Sequence, residues 1–181
     1  KGIVVHLTED FASTPQVSFH TKQKGATLGI VITASHNPPI YNGFKVKGGF
    51  GGPAYPEQIA EIEKELEKIV AKPPKVVLKS MDAYISTRAI RPFDAKESYL
   101  RYIKKKIDLE AITESGLSIV YDPMYGAGIN TMKRLLPNVH EIHGDFNPSF
   151  GEIGHPEPIP PNLLPLMDLM KLGEHSVAIA T

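Results

Sequence analysis

The chain has 181 residues, no cysteine and a formal net charge of zero, with 20 Lys and Arg side chains balanced by 20 Asp and Glu. This composition excludes disulfides and thiolate metal sites, and it offers neither the basic surface of a nucleic-acid-binding protein nor an apolar run long enough to cross a membrane. We therefore expect a soluble, cytoplasmic protein of one domain or two small ones, which binds no nucleic acid and no membrane.

The first elements predict a strand, a helix and a second strand in succession. Residues 2–7 are rich in β-branched side chains and predict a buried strand. Ser13-Thr14-Pro15 is typical of a helix start, because Ser or Thr can cap the helix and Pro suits its first turn. Gly25 would end this helix, and Leu28–Ile32 predicts the next buried strand. Such a β-α-β unit favours a parallel sheet with a right-handed crossover.

The second strand leads directly into the polar segment Thr33-Ala34-Ser35-His36-Asn37-Pro38-Pro39. Its prolines stop regular structure, so we expect Ser35 on a rigid, exposed loop at the end of a core strand. In an α/β domain this is the usual place for chemistry. By position alone, a surface hydrogen-bonding role is favoured, because a lone serine on a loop far more often has that role.

The chain after the loop predicts further elements and a boundary. Residues 44–47 alternate apolar and basic side chains, as a half-exposed strand does. Residues 48–52 predict a flexible connection, since the glycines lack P-loop spacing. Residues 56–72 predict an amphipathic helix with glutamates near its start and lysines near its end. Residues 76–78 predict a short strand, and residues 80–95 a linker between two domains.

The second half of the chain repeats the alternation of helices and strands. A helix over residues 96–107 is followed by a strand, a tight turn, a helix, a strand, a long proline-rich loop, a helix and a final strand. Their predicted bounds are 118–121, 122–128, 129–136, 139–142, 146–161, 162–172 and 176–180. The sequence thus predicts an α/β fold of two three-layer α/β/α domains with mixed, mainly parallel sheets, covering residues 1–95 and 96–181.

Several of these segments resemble one enzyme family. The hexapeptide Thr33-Ala34-Ser35-His36-Asn37-Pro38, followed by Asn42-Gly43-Phe44-Lys45, is similar to the active-serine loop of the α-D-phosphohexomutases. That family comprises phosphoglucomutases, phosphomannomutases and phosphoglucosamine mutases. The turn after Asp122-Pro123 and the segment His155-Pro156-Glu157-Pro158 resemble its second domain. The resemblance implies that residues 1–95 are the later part of domain I and residues 96–181 the early part of domain II.

The resemblance implies a reaction and a role for each loop residue. The enzyme would interconvert hexose 1-phosphate and hexose 6-phosphate, of glucose or mannose, through a phosphoserine at Ser35 and a hexose 1,6-bisphosphate intermediate. Lys45 would assist proton transfer to and from the sugar hydroxyl, and His36 would contact the phosphate or sugar. On an extended chain the side chains of Ser35 and His36 should diverge. Asn37 would orient the loop and bind substrate, and Thr14 would bind substrate or simply cap its helix.

The resemblance also implies a cofactor and a missing part. A hard dication such as Mg²⁺ suits a phosphoryl oxygen and carboxylates, so Ser35 would be a metal ligand through its phosphoryl group. The family's aspartate ligands lie in an Asp-Gly-Asp-x-Asp-Arg loop that follows the last strand and is absent from these residues. We therefore expect this chain to be a piece of a longer protein and inactive alone, with a small-molecule phosphosugar as the whole enzyme's partner.

Alternatives remain open on the sequence. The sugar could instead be glucosamine phosphate, because the position that distinguishes these sugars is read elsewhere in the family. A non-catalytic binding or regulatory relative would share the same loop. A serine hydrolase is a weaker alternative, since Ala34-Ser35-His36 lacks the G-x-S-x-G elbow.

Overall fold

The computed structural model describes residues 2–181, which form two compact units. The first unit contains the chain up to Val31 together with Lys45–Lys96, and the second contains Ile32–Phe44 together with Glu97–Thr181. Both units combine helices with parallel strand pairs, which confirms the predicted α/β fold. Among the helices of residues 2–181, none has the length and apolar character needed to cross a membrane.

The elements of the first half of the chain are four strands and three helices. In order they are β1 (Val5–Thr8), α1 (Thr14–Gln23), β2 (Leu28–Ile32), β3 (Phe44–Gly48), α2 (Pro56–Ala71), α3 (Met81–Ser86) and β4 (Ile90–Phe93).

The second half contains four helices, three strands and one 3-10 turn. In order they are α4 (Ala95–Lys104), α5 (Leu109–Glu114), β5 (Ile119–Asp122), α6 (Thr131–Leu135), β6 (His140–Glu141), the 3-10 turn (Gly151–Ile153), α7 (Leu164–Lys171) and β7 (Val177–Ala180). Helix α5 was not predicted, and α6 and β6 are shorter than the sequence pattern indicates.

Helix α1 begins as its sequence predicts. Ser13 is the N-cap residue, and its backbone N–H donates to Oε1 of Gln16 at 2.7 Å. Gln16 is buried, so this bond is partly shielded from solvent and stabilises the first turn of the helix. The helix ends at a C-cap residue, Lys24, followed by Gly25 with a φ of +60°, a left-handed conformation that glycine adopts without steric cost.

Strand pairing in the first unit differs from the predicted β-α-β unit. β1 pairs in parallel with β4, with Val5 opposite Ile90 and Thr8 opposite Phe93. β2 pairs instead with β3, the strand that returns after the Ser35 loop. The prediction was wrong because it joined strands that are neighbours in sequence, whereas the partner of β1 lies more than 80 residues further along the chain.

The residues predicted to link two domains are part of the first unit. Residues 80–95 contain α3, which Ser80 caps through its hydroxyl, and β4, which completes the pair with β1. The buried His20 ring contacts the backbone oxygen of Ala95 at 2.9 Å and packs edge-on against Phe93. These contacts attach α1 to the end of β4, so the linker prediction was wrong.

Two other local predictions need correction. Val76, Val77 and Leu78 are not a strand: they pair with no strand among residues 2–181, and 66%, 78% and 80% of their surface is exposed. Residues 48–52, predicted as a flexible connection, close a tight turn in which the Gly48 N–H donates to the Gly52 oxygen at 3.0 Å.

The second unit is built on a parallel sheet in the order β6-β5-β7. β5 is the central strand and all four of its residues are buried. Its residues Ile119 and Tyr121 form the core with Leu136 and Val139, and α5, α6 and β7 supply the partly buried side chains around them. Because β5 is covered on both faces, its sequence is a continuous apolar run up to Asp122.

Candidate active site

The Ser35 loop is closed at its base by a backbone hydrogen bond. The Thr33 N–H donates to the Gly43 oxygen at 2.9 Å, and the Gly43 N–H donates to Oδ1 of Asn42. The loop between them joins the end of β2 to the start of β3. This hydrogen bond holds the two ends of the loop together, so the residues at the loop tip are supported by both β2 and β3.

Hydrogen bonds within the loop fix the backbone around Ser35. Its N–H donates to Oγ1 of Thr33 at 3.0 Å, while the N–H and side-chain amide of Asn37 both donate to the Ala34 oxygen, at 3.1 and 2.9 Å. Ser35 itself has a φ of +59°, in the left-handed region that few non-glycine residues occupy. Its side chain is exposed. The loop thus presents a solvent-accessible hydroxyl on a locally strained backbone.

The side chains of Ser35 and His36 do not diverge as expected. Oγ of Ser35 lies 3.4 Å from Nδ1 of His36, at the long limit of a hydrogen bond. The expectation assumed an extended backbone, but the left-handed conformation of Ser35 turns its side chain towards that of the next residue. The Ser35 hydroxyl and the His36 ring are therefore neighbours in the loop.

The two other predicted site residues belong to the first unit. Thr14 is the first residue of α1 and is half-buried, and Lys45 is the second residue of β3 with its side chain exposed. In the same strand Lys47 is buried, although it lies on the same face of β3 as Lys45. The structure brings Ser35, His36 and Asn37 together in one loop, and the approach of Thr14 and Lys45 to them stays a prediction.

The described residues do not form a metal site on their own. Within residues 2–181, no three or more His, Asp or Glu side chains lie close enough together to hold a metal ion. The Ser35 loop contributes hydroxyl, imidazole and amide groups but no carboxylate. These residues therefore do not fit a complete Mg²⁺ site.

A second polar cluster, which sequence reasoning missed, lies at the carboxyl end of β5. The Asp122 side chain is fully buried: Oδ1 accepts from the Met124 N–H at 2.7 Å, and Oδ2 accepts from Nδ1 of His143 at 2.9 Å. The Tyr125 ring packs against that of His143, with centroids 4.9 Å apart. An aspartate directly after the predicted strand 118–121 was the available signal, because a buried carboxylate needs partners.

Left-handed backbone also concentrates in this cluster. Met124, Tyr125 and His143 have φ values of +51°, +59° and +48°. Burial raises the pKa of the Tyr125 hydroxyl, and the charge of Asp145 acts in the same direction. The cluster thus combines buried hydrogen bonds with a strained backbone, a combination that is common at functional sites.

Tyr121 and Thr181 connect β5 to the residue after β7. The Tyr121 hydroxyl lies 2.7 Å from Oγ1 of Thr181, and the Thr181 N–H donates to the Asp122 backbone oxygen at 3.1 Å. Burial raises the pKa of the Tyr121 hydroxyl, while the bond to Thr181 acts in the opposite direction. A Cβ on Gly128 would collide with the Tyr121 hydroxyl, so the glycine at this position allows the contact.

Comparison with protein families matches both halves of the chain. Residues 1–72 match the model of phosphoglucomutase/phosphomannomutase alpha/beta/alpha domain I, and residues 97–181 match that of domain II. The chain belongs to the phosphoglucomutase/phosphomannomutase family. The Ser35 loop lies in the part matched to domain I, and the Asp122 cluster in the part matched to domain II.

Individual relatives agree with this family. A phosphoglucomutase of Staphylococcus haemolyticus strain JCSC1435 is 29% identical over 167 residues, 87% of this chain and 30% of the relative. A phosphoglucomutase of Staphylococcus aureus strain MRSA252 is 30% identical over 143 residues, 76% of this chain and 24% of the relative. The chain thus spans less than a third of the length of these two enzymes.

Solved structures of the family have the same fold. A Thermus thermophilus protein assigned as a phosphomannomutase superposes with a TM-score of 0.80 at 30% identity, over 99% of this chain and 40% of that protein. The Paramecium phosphoprotein pp63/parafusin, in its open form, superposes with a TM-score of 0.71 at 20% identity, over 96% of this chain and 36% of that protein. The second likeness concerns the fold alone.

Proposed function

We propose that the protein carrying this chain is a phosphohexomutase that interconverts hexose 1-phosphate and hexose 6-phosphate of glucose or mannose, with Ser35 as the phosphoryl carrier. The observation that carries the proposal is the exposed Ser35 hydroxyl, held on a hydrogen-bonded, left-handed loop at the end of β2. The phosphoglucomutase and phosphomannomutase names of the relatives support the substrate class. We also propose residues 1–95 and 96–181 as the two domain portions.

The proposed reaction has two phosphoryl transfers. In the first, the bond between phosphorus and the Ser35 oxygen breaks as a bond to the free sugar hydroxyl forms, which gives the 1,6-bisphosphate. The sugar hydroxyl loses a proton and the serine oxygen gains one. In the second, the other phosphate of the reoriented bisphosphate returns to Ser35, and the protons move back. No net water, oxidant or nucleotide is needed.

The neighbouring residues have distinct roles in this proposal. His36, whose Nδ1 lies 3.4 Å from the Ser35 oxygen, exchanges a proton with that oxygen or contacts the phosphate and sugar. Lys45 assists the proton transfer at the sugar hydroxyl, and its charge offsets the phosphate. Asn37 and Thr14 bind substrate, and Asn37 also fixes the Ala34 carbonyl and so the loop.

We also propose a cytoplasmic location for the protein, which its phosphosugar substrates support.

Mg²⁺ is a proposed cofactor on chemical grounds. A phosphoserine carries close to two negative charges at neutral pH, and its oxygens are the hard donors that Mg²⁺ prefers. In this chain Ser35 would contribute to its binding through a phosphoryl oxygen. Because the chain spans 24–30% of its curated relatives, we expect residues 1–181 alone to have negligible mutase activity.

The test is phosphorylation and turnover in the protein that carries this chain. Ser35→Ala should abolish the phosphate adduct of about 80 Da, counted relative to the variant's own sequence mass, and lower turnover on the order of 10³-fold or more. Lys45→Ala should lower turnover by roughly 10²–10⁴-fold and keep the phosphate on Ser35. Ser149→Ala, in another exposed loop, is the matched control. Undiminished turnover by Ser35→Ala would contradict the proposal.

A further inference from the structure

Two histidines face each other at the amino-terminal ends of the strands in the second unit. Nδ1 of His140 lies 3.0 Å from Nε2 of His175, and Nδ1 of His175 lies 2.9 Å from the Ser118 hydroxyl oxygen. The ring centroids of the two histidines are 5.1 Å apart. His140 is exposed and His175 is half-buried, so solvent reaches the pair. The mutase chemistry proposed above uses none of these residues.

The strand register builds this arrangement. His140 is the first residue of β6 and lies opposite Val120 of β5. Ser118 precedes Val120 by two positions, so its side chain lies on the same face of the sheet. The Ser176 N–H donates to the Ser118 backbone oxygen at 2.8 Å, which places His175 beside Ser118 just before β7. Three strands therefore fix the three side chains.

We propose that His140 and His175 form a two-imidazole site for a borderline transition-metal ion, Cu²⁺ or Ni²⁺. Neutral imidazole nitrogens are ligands that these ions prefer. The affinity of nitrogen sites for first-row divalent ions rises from Mn²⁺ through Ni²⁺ to Cu²⁺ and falls again at Zn²⁺. Waters fill the remaining positions.

Ser118 is the positioning residue of this site. When the Ser118 oxygen accepts from the Nδ1–H of His175, the lone pair of that ring is left on Nε2, the atom that faces His140. A hydrogen bond from the far nitrogen is the usual way in which proteins fix a metal-ligating histidine. Metal binding then replaces the bond between the two rings. The exposed His140 changes tautomer and turns so that both lone pairs meet at the ion.

The test is a titration of the full 181-residue chain with CuCl₂ and NiCl₂ at neutral pH, followed by calorimetry and by electron paramagnetic resonance of bound Cu²⁺. We expect one Cu²⁺ with two nitrogen ligands, unaffected by excess Mg²⁺, which prefers oxygen ligands. His140→Asn and His175→Asn should each weaken binding at least about tenfold, and Ser118→Ala by roughly 10-fold or more. His6→Asn, at an exposed histidine of the first unit, should have no effect.

A thermal measurement separates lost binding from lost folding. Cu²⁺ should raise the unfolding temperature of the wild-type chain and of His6→Asn, but not that of His140→Asn or His175→Asn, because only a ligand that binds the folded state stabilises it. Equal Cu²⁺ affinity of the wild type and both paired variants would overturn the proposal. A spectrum without nitrogen coupling would overturn it as well. Neither result bears on phosphorylation of Ser35, so the proposed mutase function is tested separately.

Discussion

The imidazole Nδ1 of His143 lies 2.9 Å from Oδ2 of Asp122, a carboxyl group with no exposed surface at the end of β5. The other oxygen of Asp122 accepts from the Met124 N–H. Both oxygens of the buried group therefore have a donor, which offsets the cost of removing it from water. This pair fixes the turn between β5 and α6 in the second unit. The sequence alone did not predict the pair.

His143→Ala should lower the free energy of unfolding by about 1–3 kcal/mol, because it leaves a buried acceptor without its donor. Asp122→Asn should cost less, since the amide still accepts from Met124 and can donate to the imidazole. Urea denaturation of the two variants and the double variant gives their coupling energy. His155→Ala is the control, because its ring lies 3.7 Å from Glu157 in a more exposed pair. Equal effects of His143→Ala and His155→Ala would contradict this prediction.

Gly29→Ala should destabilise the first unit by overpacking. An added Cβ would collide with Oγ1 of Thr21 on α1 and come within 3.3 Å of the Lys47 Cβ on β3. Thr21 and Lys47 are both buried, so neither can move freely. We expect a loss of about 1–3 kcal/mol in the free energy of unfolding. Adding Thr21→Ala should recover part of it in a denaturation experiment. A Gly29→Ala chain as stable as the wild type would show that α1 does not pack closely on β2.

The left-handed backbone at Ser35 predicts an order of stability. Ser35→Gly should be more stable than Ser35→Ala by about 1 kcal/mol, because glycine has no Cβ to strain a φ of +59°. At Ser149, which is not among the residues with positive φ, the order should be reversed. Thermal or urea unfolding of the four variants measures both differences. The same order at both positions would remove the argument that the Ser35 loop is strained.

Asp10 should titrate at a lower pH in the folded chain than in the unfolded chain. A hydrogen bond from Lys96 holds the pKa of Asp10 below its usual value, with the bond from the Phe11 N–H acting in the same direction. A lowered pKa contributes stability that is present above the unfolded value and lost as pH falls through the folded value. Lys96→Met should raise the pKa of Asp10, measured by NMR titration. Lys68→Met, at an exposed pair with Glu65, should leave it unchanged.

Local patterns predicted the elements whose signals are contained in a few adjacent residues. Helix α2 follows from its apolar spacing, and β2 from the run Leu28–Ile32, although only Val31 of that strand is buried and the prediction of a buried strand was wrong. β4 was missed because its stability comes from pairing with β1, far away in sequence. The apolar residues 76–78 were predicted as a strand for the opposite reason: their composition fits a strand, but the fold gives them no partner.

The candidate site was predictable in its residues but not in its conformation. The loop motif indicated Ser35, His36 and Asn37, yet nothing in the sequence indicated the left-handed backbone at Ser35, because serine rarely adopts it. The contact between the Ser35 oxygen and His36 depends on that conformation. The pairing of Asp122 with His143 depends on strand register, which the residues near Asp122 do not specify.

The most direct test of the central claim is peptide mass mapping of the protein that carries this chain, after exposure to glucose 1,6-bisphosphate. We predict a single added phosphate, about 80 Da, on the peptide containing Ser35 and its removal when excess hexose monophosphate is added. Ser149, the serine of another exposed loop, should stay unmodified. A protein that converts hexose 1-phosphate to hexose 6-phosphate while its Ser35 peptide never gains phosphate would contradict the account.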